Sequence, residues 1–245
     1  MILLLAGTTE ARNLAGYMAE AGIKTVASLA GVTRTPLPMA VETRVGGFGG
    51  DAGFETYLDR AGITAVIDAT HPFAAKITAR TARICAARGL PYLRYERPGW
   101  RSRPGDAWHE VADYAGLSAI IPVGARVFLA TGRQSLSQMA HLADRHLICR
   151  VIDPPEGAFP YPNGAFVIGR PPFSEDTEIE TLRALNPNWM VVKNAGGASG
   201  RAKLDAARRL GISVAMIARP AVPAGIERRE QVLDALEWAE AHGRT

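Results

Sequence analysis

The chain has 245 residues, a length that suits one large domain or two smaller ones. Its hydrophobic content of 47% is enough for a full core, and no apolar run approaches the roughly 18 residues that a membrane span needs. The net charge of +4 and the pI of about 9.3 come without a basic, aromatic-rich segment, so nucleic acid is not the expected partner. Scattered solvated arginines or a small acidic ligand explain this charge.

Cysteine usage and the first residues indicate the compartment. Cys85 and Cys149 each lie in an apolar segment, which predicts buried thiols rather than a disulfide framework or a metal site. The start of the chain has neither a basic region nor a cleavage site, so we expect no signal peptide and a cytoplasmic protein. No Ser-His-Asp set or metal-ligand spacing is visible, and this suits a reaction whose chemistry a cofactor supplies.

The first twelve residues predict a strand, a turn of small residues and a helix. The apolar run Ile2–Leu5 is typical of a strand buried on both faces. Gly7 follows it, Thr8 or Thr9 can cap a helix, and Glu10 suits the positive end of the helix dipole. Such a helix start can seat a phosphate. The turn lacks the full Gly-x-Gly-x-x-Gly pattern, so an ordinary strand-to-helix turn remains an alternative to a nucleotide site.

The second predicted strand, Lys24–Leu29, ends where a dinucleotide fold contacts the adenosine ribose. An acidic residue there would select NAD, but Ser28 is neutral and the following loop contains Ala30, Gly31 and Arg34. This combination favours NADPH over NADH, with Arg34 at the 2′-phosphate. A solvated loop cation is the alternative role for Arg34.

A glycine-rich loop follows the third predicted strand, Val41–Val45. Its residues Gly46, Gly47, Phe48 and Gly49 allow close backbone approach, and Phe48 supplies the loop's aromatic face. We expect a flat ring of a cofactor or substrate to bind there, with a flexible loop as the alternative. A helix is predicted next, from about residue 53 to residue 61.

The fourth predicted strand, Ile63–Ala69, leads into the sequence Thr70-His71-Pro72. Pro72 suits the first turn of a helix, and Asp68, Thr70 and His71 would lie at the carboxyl end of a central strand. Ligands of open α/β sheets bind at that edge. His71 could donate a proton or contact a cofactor, or it could simply cap the helix.

A second α/β unit follows a Pro/Gly/Arg-rich connection. We predict a fifth strand at Pro91–Arg97 and a connection over residues 99–125 with a short strand and a short helix. The predicted strands of the second unit are Arg126–Ala130, His146–Ile152, Ala165–Gly169, Trp189–Val192 and Ile212–Ala218. Helices are predicted at 136–142, at 174–185, from the turn at 195–201 to Leu210, and at about 229–241. The fold class is therefore α/β, with two Rossmann-like parallel-sheet units, residues 1–98 and 126–245, and a cleft between them.

Cations and amides gather around a second small-residue turn in the later half. Because they follow predicted strands or neighbouring turns, we expect them to bind an anionic substrate with several carboxylates. The candidate substrate-binding residues from this pattern are Arg133, Arg170, Lys193, Asn194, Arg201 and Arg219.

Five motifs in order resemble the precorrin-6A reductase family of cobalamin biosynthesis. They are Leu-Leu-Ala-Gly-Thr-Thr-Glu-Ala-Arg (4–12), Asp-Ala-Thr-His-Pro-Phe-Ala (68–74), Tyr-Leu-Arg-Tyr-Glu-Arg-Pro (92–98), Thr-Gly-Arg (131–133) and Val-Lys-Asn-Ala-Gly-Gly (192–197). The likeness covers nearly the whole chain, and the motif at 68–74 is the most specific. Ala6 departs from the family, which often has a second glycine there; we expect only slight crowding.

The resemblance implies an NADPH-dependent reduction of one double bond in the precorrin-6A macrocycle, with hydride and proton added to adjacent carbons to give precorrin-6B. Cofactor contacts would come from Gly7, Thr8, Thr9, Glu10, Ser28, Ala30, Gly31, Arg34, Gly46, Gly47, Phe48, Gly49, Thr70, His71 and Pro72. The tetrapyrrole would bind the cationic set of the second unit together with the turn residues Ala195, Gly196 and Gly197. His71, Lys193 and water are candidate proton donors.

Several alternatives stay open beside this resemblance. The anaerobic pathway's homologue acts on a cobalt-loaded substrate, and the residues do not separate the two. A short-chain type oxidoreductase is disfavoured, because no tyrosine precedes a lysine at the Tyr-x-x-x-Lys spacing. A nucleotide-sensing module would bind NADPH without turnover, but it gives the cationic second unit no role. The resemblance also leaves open a handover of the tetrapyrrole to neighbouring pathway enzymes.

Overall fold

A computed structural model describes residues 1–31, 37–155, 157–198 and 200–243. The strands are β1 (Ile2–Leu5), β2 (Thr25–Leu29), β3 (Glu42–Val45), β4 (Ala65–Asp68), β5 (Tyr92–Tyr95), β6 (Trp108–Val111), β7 (Arg126–Leu129), β8 (His146–Val151), β9 (Gly164–Ile168), β10 (Trp189–Lys193), β11 (Ser213–Ile217) and β12 (Glu227–Arg229). The α-helices are α1 (Thr9–Glu20), α2 (Gly50–Arg60), α3 (Ala75–Arg88), α4 (Leu117–Ile120), α5 (Glu175–Leu185), α6 (Ala202–Leu210) and α7 (Val232–Gly243).

The first compact unit contains Met1–Pro98 and Pro220–Thr245. Its six strands are all parallel and follow the order β12-β5-β4-β1-β2-β3. This order, which runs outward in both directions from β1 and β4, is that of a dinucleotide-binding Rossmann sheet. The direction of winding reverses between β1 and β4, which is where ligands bind in such sheets.

Strand β1 is buried on both faces, as its unbroken apolar sequence predicts. Ile2 and Leu4 pack in a core cluster with residues of α1 and α7, whereas Leu3 and Leu5 pack in a second cluster with α2 and α3. Apolar residues at alternating positions therefore serve opposite layers, and the sheet is covered by helices on both sides.

The second unit, Gly99–Arg219, repeats this plan. Its parallel sheet has the order β6-β11-β10-β7-β8-β9, with the reversal between β7 and β10. Met190 and Val192 of β10 pack with α5 and α6 in one core cluster. The chain is thus an α/β protein with two Rossmann-like parallel sheets, as the sequence predicts.

The two units divide the chain differently from the sequence-based boundaries. Strand β6 pairs with β11, so the predicted connection contributes to the second sheet. Residues 220–245, which we expected in the second domain, return to the first unit, where β12 pairs with β5 and α7 packs in the β1 cluster. The sequence does not predict β12, because the short charged segment Glu-Arg-Arg has no alternation of apolar and polar residues. Its pairing with β5 therefore depends on the tertiary structure.

Local boundaries also differ at three places. Helix α2 begins at Gly50 rather than near residue 53, and α3 begins at Ala75, so Pro72 lies in the preceding turn and not in the helix. The predicted helix at 136–142 is replaced by 3₁₀ turns at Arg133–Gln138 and Ala140–Leu142. The Ser135 hydroxyl donates to the Gly132 carbonyl oxygen at 2.7 Å, and such side-chain bonds compete with α-helical pairing.

Both cysteines are buried thiols, as predicted, and burial raises the pKa of Cys85 to about 12 and that of Cys149 to about 11. Among the helices in the described parts of the chain, none has the length and apolar content needed to cross a membrane.

Candidate functional site

Parallel pairing brings the described residues of the predicted cofactor site to one edge of the first unit's sheet. Leu5, the last residue of β1, is in register with Ser28 of β2 on one side and with Asp68 of β4 on the other. Arg44 of β3 is in turn in register with Ser28. The turns that follow these four strands therefore share the carboxyl edge of the sheet, at the position expected for a dinucleotide.

The turn after β1 has the geometry of a phosphate-binding helix start. Gly7 has a φ of +126°, a backbone conformation that favours glycine. Thr8 caps α1, because its Oγ1 accepts the Ala11 N–H at 3.1 Å, and the same hydroxyl donates to the Ala69 carbonyl oxygen at 2.9 Å. Thr8 thus joins the turns after β1 and β4. Glu10 forms an ion pair with Arg97, which offsets its negative charge beside the helix start.

A buried network holds the turn after β4. One Asp68 oxygen accepts the Thr70 N–H at 3.0 Å and the Thr70 hydroxyl at 2.6 Å, and the other accepts from Thr78 and from the Tyr92 hydroxyl. Arg94 pairs with Asp68 at 2.7 Å, so this fully buried carboxylate is compensated. Burial, and then the charge of Asp68, raise the pKa of Tyr92. Asp68 and Thr70 therefore stabilise the turn.

The side chain of His71 is exposed at this turn, and Pro72 beside it is buried. The His71 Nδ1 accepts the Phe73 N–H at 3.2 Å, just before α3 begins. The centres of the His71 and Phe73 rings lie 5.9 Å apart. This bond lies within the turn before the helix, and it is not a helix cap, because the N-cap residue of α3 is Ala74 and receives no side-chain capping bond. His71 thus has a local structural contact, and its ring lies at the edge where the cofactor is expected.

An arginine that the sequence does not single out lies at the ends of β2 and β3. The Arg44 guanidinium donates to Ser28 Oγ at 2.7 Å and to the carbonyl oxygens of Gly46 and Gly47 at 2.9 and 3.0 Å. It also lies 4.0 Å from the centre of the Phe48 ring. Arg44 is therefore a cation beside Ser28 at the position where the 2′-phosphate is expected. Arg34 lies outside the described residues.

The glycine loop after β3 is packed against α2. The Phe48 ring contacts the rings of Phe54 and Tyr57 edge-on, with centroids 4.8 and 5.2 Å apart. A Cβ on Gly53 would lie 1.8 Å from the Phe48 carbonyl oxygen, so only glycine fits that position. Phe48 is thus an anchor of the loop in the helix layer. The neighbouring Gly31 has a φ of +77°, and Ala30 beside it is exposed.

In the second unit, side chains hold the carbonyl oxygens of the turn after β10. Arg219 donates to the carbonyl oxygens of Asn194 and Ala195 at 2.8 and 3.1 Å. The Trp100 indole donates to the Gly197 carbonyl oxygen at 2.7 Å. The Asn194 side chain accepts the Trp100 N–H at 2.7 Å and donates to the Trp100 carbonyl oxygen at 3.0 Å. Asn194 and Arg219, predicted as substrate contacts, are therefore used to shape this turn.

The remaining predicted cations differ in their surroundings. The Arg201 side chain is almost buried and bonds to Asp205 at 3.2 Å and to Asp106 at 3.3 Å, which makes it an internal residue. Arg133 and Arg170 are exposed, and Arg170 pairs with Asp153. Lys193 is half-buried at the end of β10, and burial lowers its pKa.

Three residues at these edges escape sequence reasoning. Arg44 lies two residues after Glu42 in β3, so the sequence indicates that both side chains share one face of the strand. It does not indicate that Ser28 is the neighbour of Arg44. Trp100 follows a Pro-Gly pair that is typical of a linker. Lys203 follows the glycine turn by a few residues and resembles any lysine in a helical pattern, yet it is largely enclosed.

The sheet order and the edge turns define a protein of two Rossmann-like units, the class in which dinucleotide-dependent oxidoreductases are common. Residues 1–240 match the model of the family described as Precorrin-6x reductase CbiJ/CobK. The chain belongs to this family of reductases, which places it among the oxidoreductases of cobalamin biosynthesis.

Two of the individual relatives match over nearly their whole length. The chain is 44% identical to the Precorrin-6A reductase of Rhodobacter capsulatus, over 100% of this chain and 97% of the relative. It is 42% identical to that of Mycobacterium tuberculosis, over 97% and 96%. A solved structure described as CobK precorrin-6A reductase superimposes with a TM-score of 0.92 at 44% identity, covering 100% of this chain and 97% of the other.

Proposed function

We propose that this chain reduces one double bond of precorrin-6A with NADPH, giving precorrin-6B. The observation that carries the proposal is the full-length identity of 42–44% to chains named Precorrin-6A reductase. Relatives named Cobalt-precorrin-6A reductase are 27–30% identical, so we choose the cobalt-free macrocycle as substrate.

The residues at the edge of the first sheet fit a dinucleotide with a 2′-phosphate. The Thr8-capped start of α1 offers backbone N–H groups to the pyrophosphate. An NAD-dependent fold would have an acidic residue at the position of Ser28. Here the Ser28 hydroxyl oxygen instead accepts a hydrogen bond from the Arg44 guanidinium. Three of the five N–H groups of Arg44 are used in these bonds, and its positive charge attracts a phosphate. When bound, NADPH supplies the hydride.

The second unit supplies the contacts to the tetrapyrrole in this proposal. Exposed Arg133 and Arg170 and half-buried Lys193 bind the carboxylate arms. Asn194, Arg219 and Trp100 do not need to touch the substrate, because they keep the Ala195–Gly197 backbone in one conformation. A preshaped turn reduces the conformational entropy that is lost on binding.

The test is an anaerobic assay of the purified protein with NADPH and precorrin-6A, in which nicotinamide absorbance and the tetrapyrrole spectrum are followed together. We expect one NADPH to be oxidised for each macrocycle reduced. A parallel assay contains cobalt-precorrin-6A. Turnover only with the cobalt-loaded ring would overturn the substrate choice, and NADPH binding without reduction of either ring would indicate a sensing module.

A further inference from the structure

The described residues contain a lysine whose ammonium is held at the turn of the second unit. Lys203 lies in the first turn of α6, and its Nζ donates to the Gly200 carbonyl oxygen at 2.8 Å. The same Nζ lies 5.4 Å from the centre of the Trp100 ring. The side chain therefore folds back onto the turn that Asn194 and Trp100 organise, at the edge where the proposed function places the macrocycle.

The carboxylate whose charge acts on Lys203 is committed to another cation. Glu178 of α5 is buried and receives two hydrogen bonds from the Arg150 guanidinium of β8, one to each carboxylate oxygen. Arg150 in turn stacks on the rings of Phe128 and Phe173, at 4.7 and 4.4 Å from their centres. The charge of Glu178 is already compensated by Arg150, so it does not provide Lys203 with a carboxylate of its own.

We propose that Lys203 is the acid that protonates the macrocycle carbon next to the one that receives the hydride. The assignment rests on the proposed function. One ring carbon accepts the hydride, the π bond breaks, and its electron pair takes a proton from Nζ at the adjacent carbon. NADPH becomes NADP⁺, the ring gains two hydrogen atoms, and Lys203 becomes a neutral amine that regains its proton from solvent.

The electrostatics of the cluster suit proton transfer near neutral pH. Burial lowers the pKa of Lys203 to about 8, while Glu178 raises it and Arg150 lowers it to smaller extents. Acids act best when their pKa lies near the working pH. Because the protonated form is the donor, kcat/KM should be highest below pH 8 and should fall as the pH rises through that value.

The experiment compares wild-type protein with Lys203→Met, which has similar length and no charge, and Lys203→Arg, which keeps the charge but holds its proton. Lys24→Met is the control. Lys24 is exposed just before β2, at the edge of the first sheet that is opposite the proposed cofactor site. We expect both Lys203 variants to bind NADPH and precorrin-6A within about threefold of wild type and to lose about 100-fold or more in kcat.

The pH profile of wild-type kcat/KM requires no variant, so it tests the assignment even if a substitution impairs folding. Absence of a decline near pH 8 would overturn it, as would an Arg variant with wild-type kcat or a Met variant that changes only KM. If wild-type protein reduces the macrocycle and any of these results is obtained, only the role of Lys203 is refuted and the proposed function stands. Absence of reduction by wild type with either ring refutes the proposed function and this role together.

Discussion

At the scale of the residue, the side chain of Arg44 links the loops after β2 and β3. It bonds to Ser28, to two carbonyl oxygens of the glycine loop and to the face of Phe48. Arginine suits this position because its planar fork can bond several acceptors and still stack on a ring. The sequence predicts Arg34 as the cation beside Ser28, whereas the pairing of β2 with β3 brings Arg44 to Ser28.

Replacing Arg44 tests the 2′-phosphate assignment. We expect Arg44→Ala to weaken NADPH binding about 10- to 100-fold more than NADH binding, because a charge-assisted bond contributes about 1.5–3 kcal/mol. Fluorescence titrations with both cofactors measure this difference. Arg60→Ala, at the exposed end of α2, is the matched control. Equal losses for the two cofactors would mean that Arg44 only supports the loop.

At the scale of the element, α2 is positioned by one glycine. Helix α2 passes so close to the glycine loop that Gly53 faces the Phe48 carbonyl oxygen with no room for a Cβ. The loop therefore depends on a contact within the first unit rather than on its own glycines. Four glycines in five residues predict close backbone approach to a ligand, and here one close approach is between the loop and its own helix.

The Gly53→Ala variant is expected to lower the free energy of unfolding by about 1–3 kcal/mol, because the loop or the helix must shift to admit the methyl group. The control is Gly16→Ala in α1, where a Cβ meets no atom within 4 Å. That change should stabilise the protein by about 0.5–1 kcal/mol, since alanine favours a helix more than glycine does. Urea denaturation measures both, and similar effects in the two variants would contradict the prediction.

At the scale of the whole molecule, the chain leaves the first unit after Pro98 and returns to it at Pro220. The returning segment completes the first sheet with β12 and covers one face with α7. Trp238 of α7 is 6% exposed and donates to a Glu227 oxygen at 2.9 Å, which ties the helix to β12. The core of the first unit is therefore built from both ends of the chain.

Truncation of Trp238 should destabilise the first unit. We expect Trp238→Ala to cost about 3–5 kcal/mol and to increase hydrogen exchange within residues 1–98, while exchange in residues 99–219 stays close to wild type. Leu233→Ala, on the same helix but 64% exposed, should change stability by less than about 0.5 kcal/mol. Faster exchange confined to the second unit would show that α7 supports that unit instead.

Periodicity and turn chemistry by themselves determine the α/β class, the doubled unit and most element positions, because these depend on neighbouring residues. The buried run of β1, the Thr8 cap and the glycine turns are of this kind. Tertiary structure alone decides that Arg44 meets Ser28, that Trp100 and Arg219 hold the turn after β10, and that β12 joins the first sheet. Each of these contacts joins segments far apart in the chain, and the free energy that selects them comes from packing rather than from local propensity.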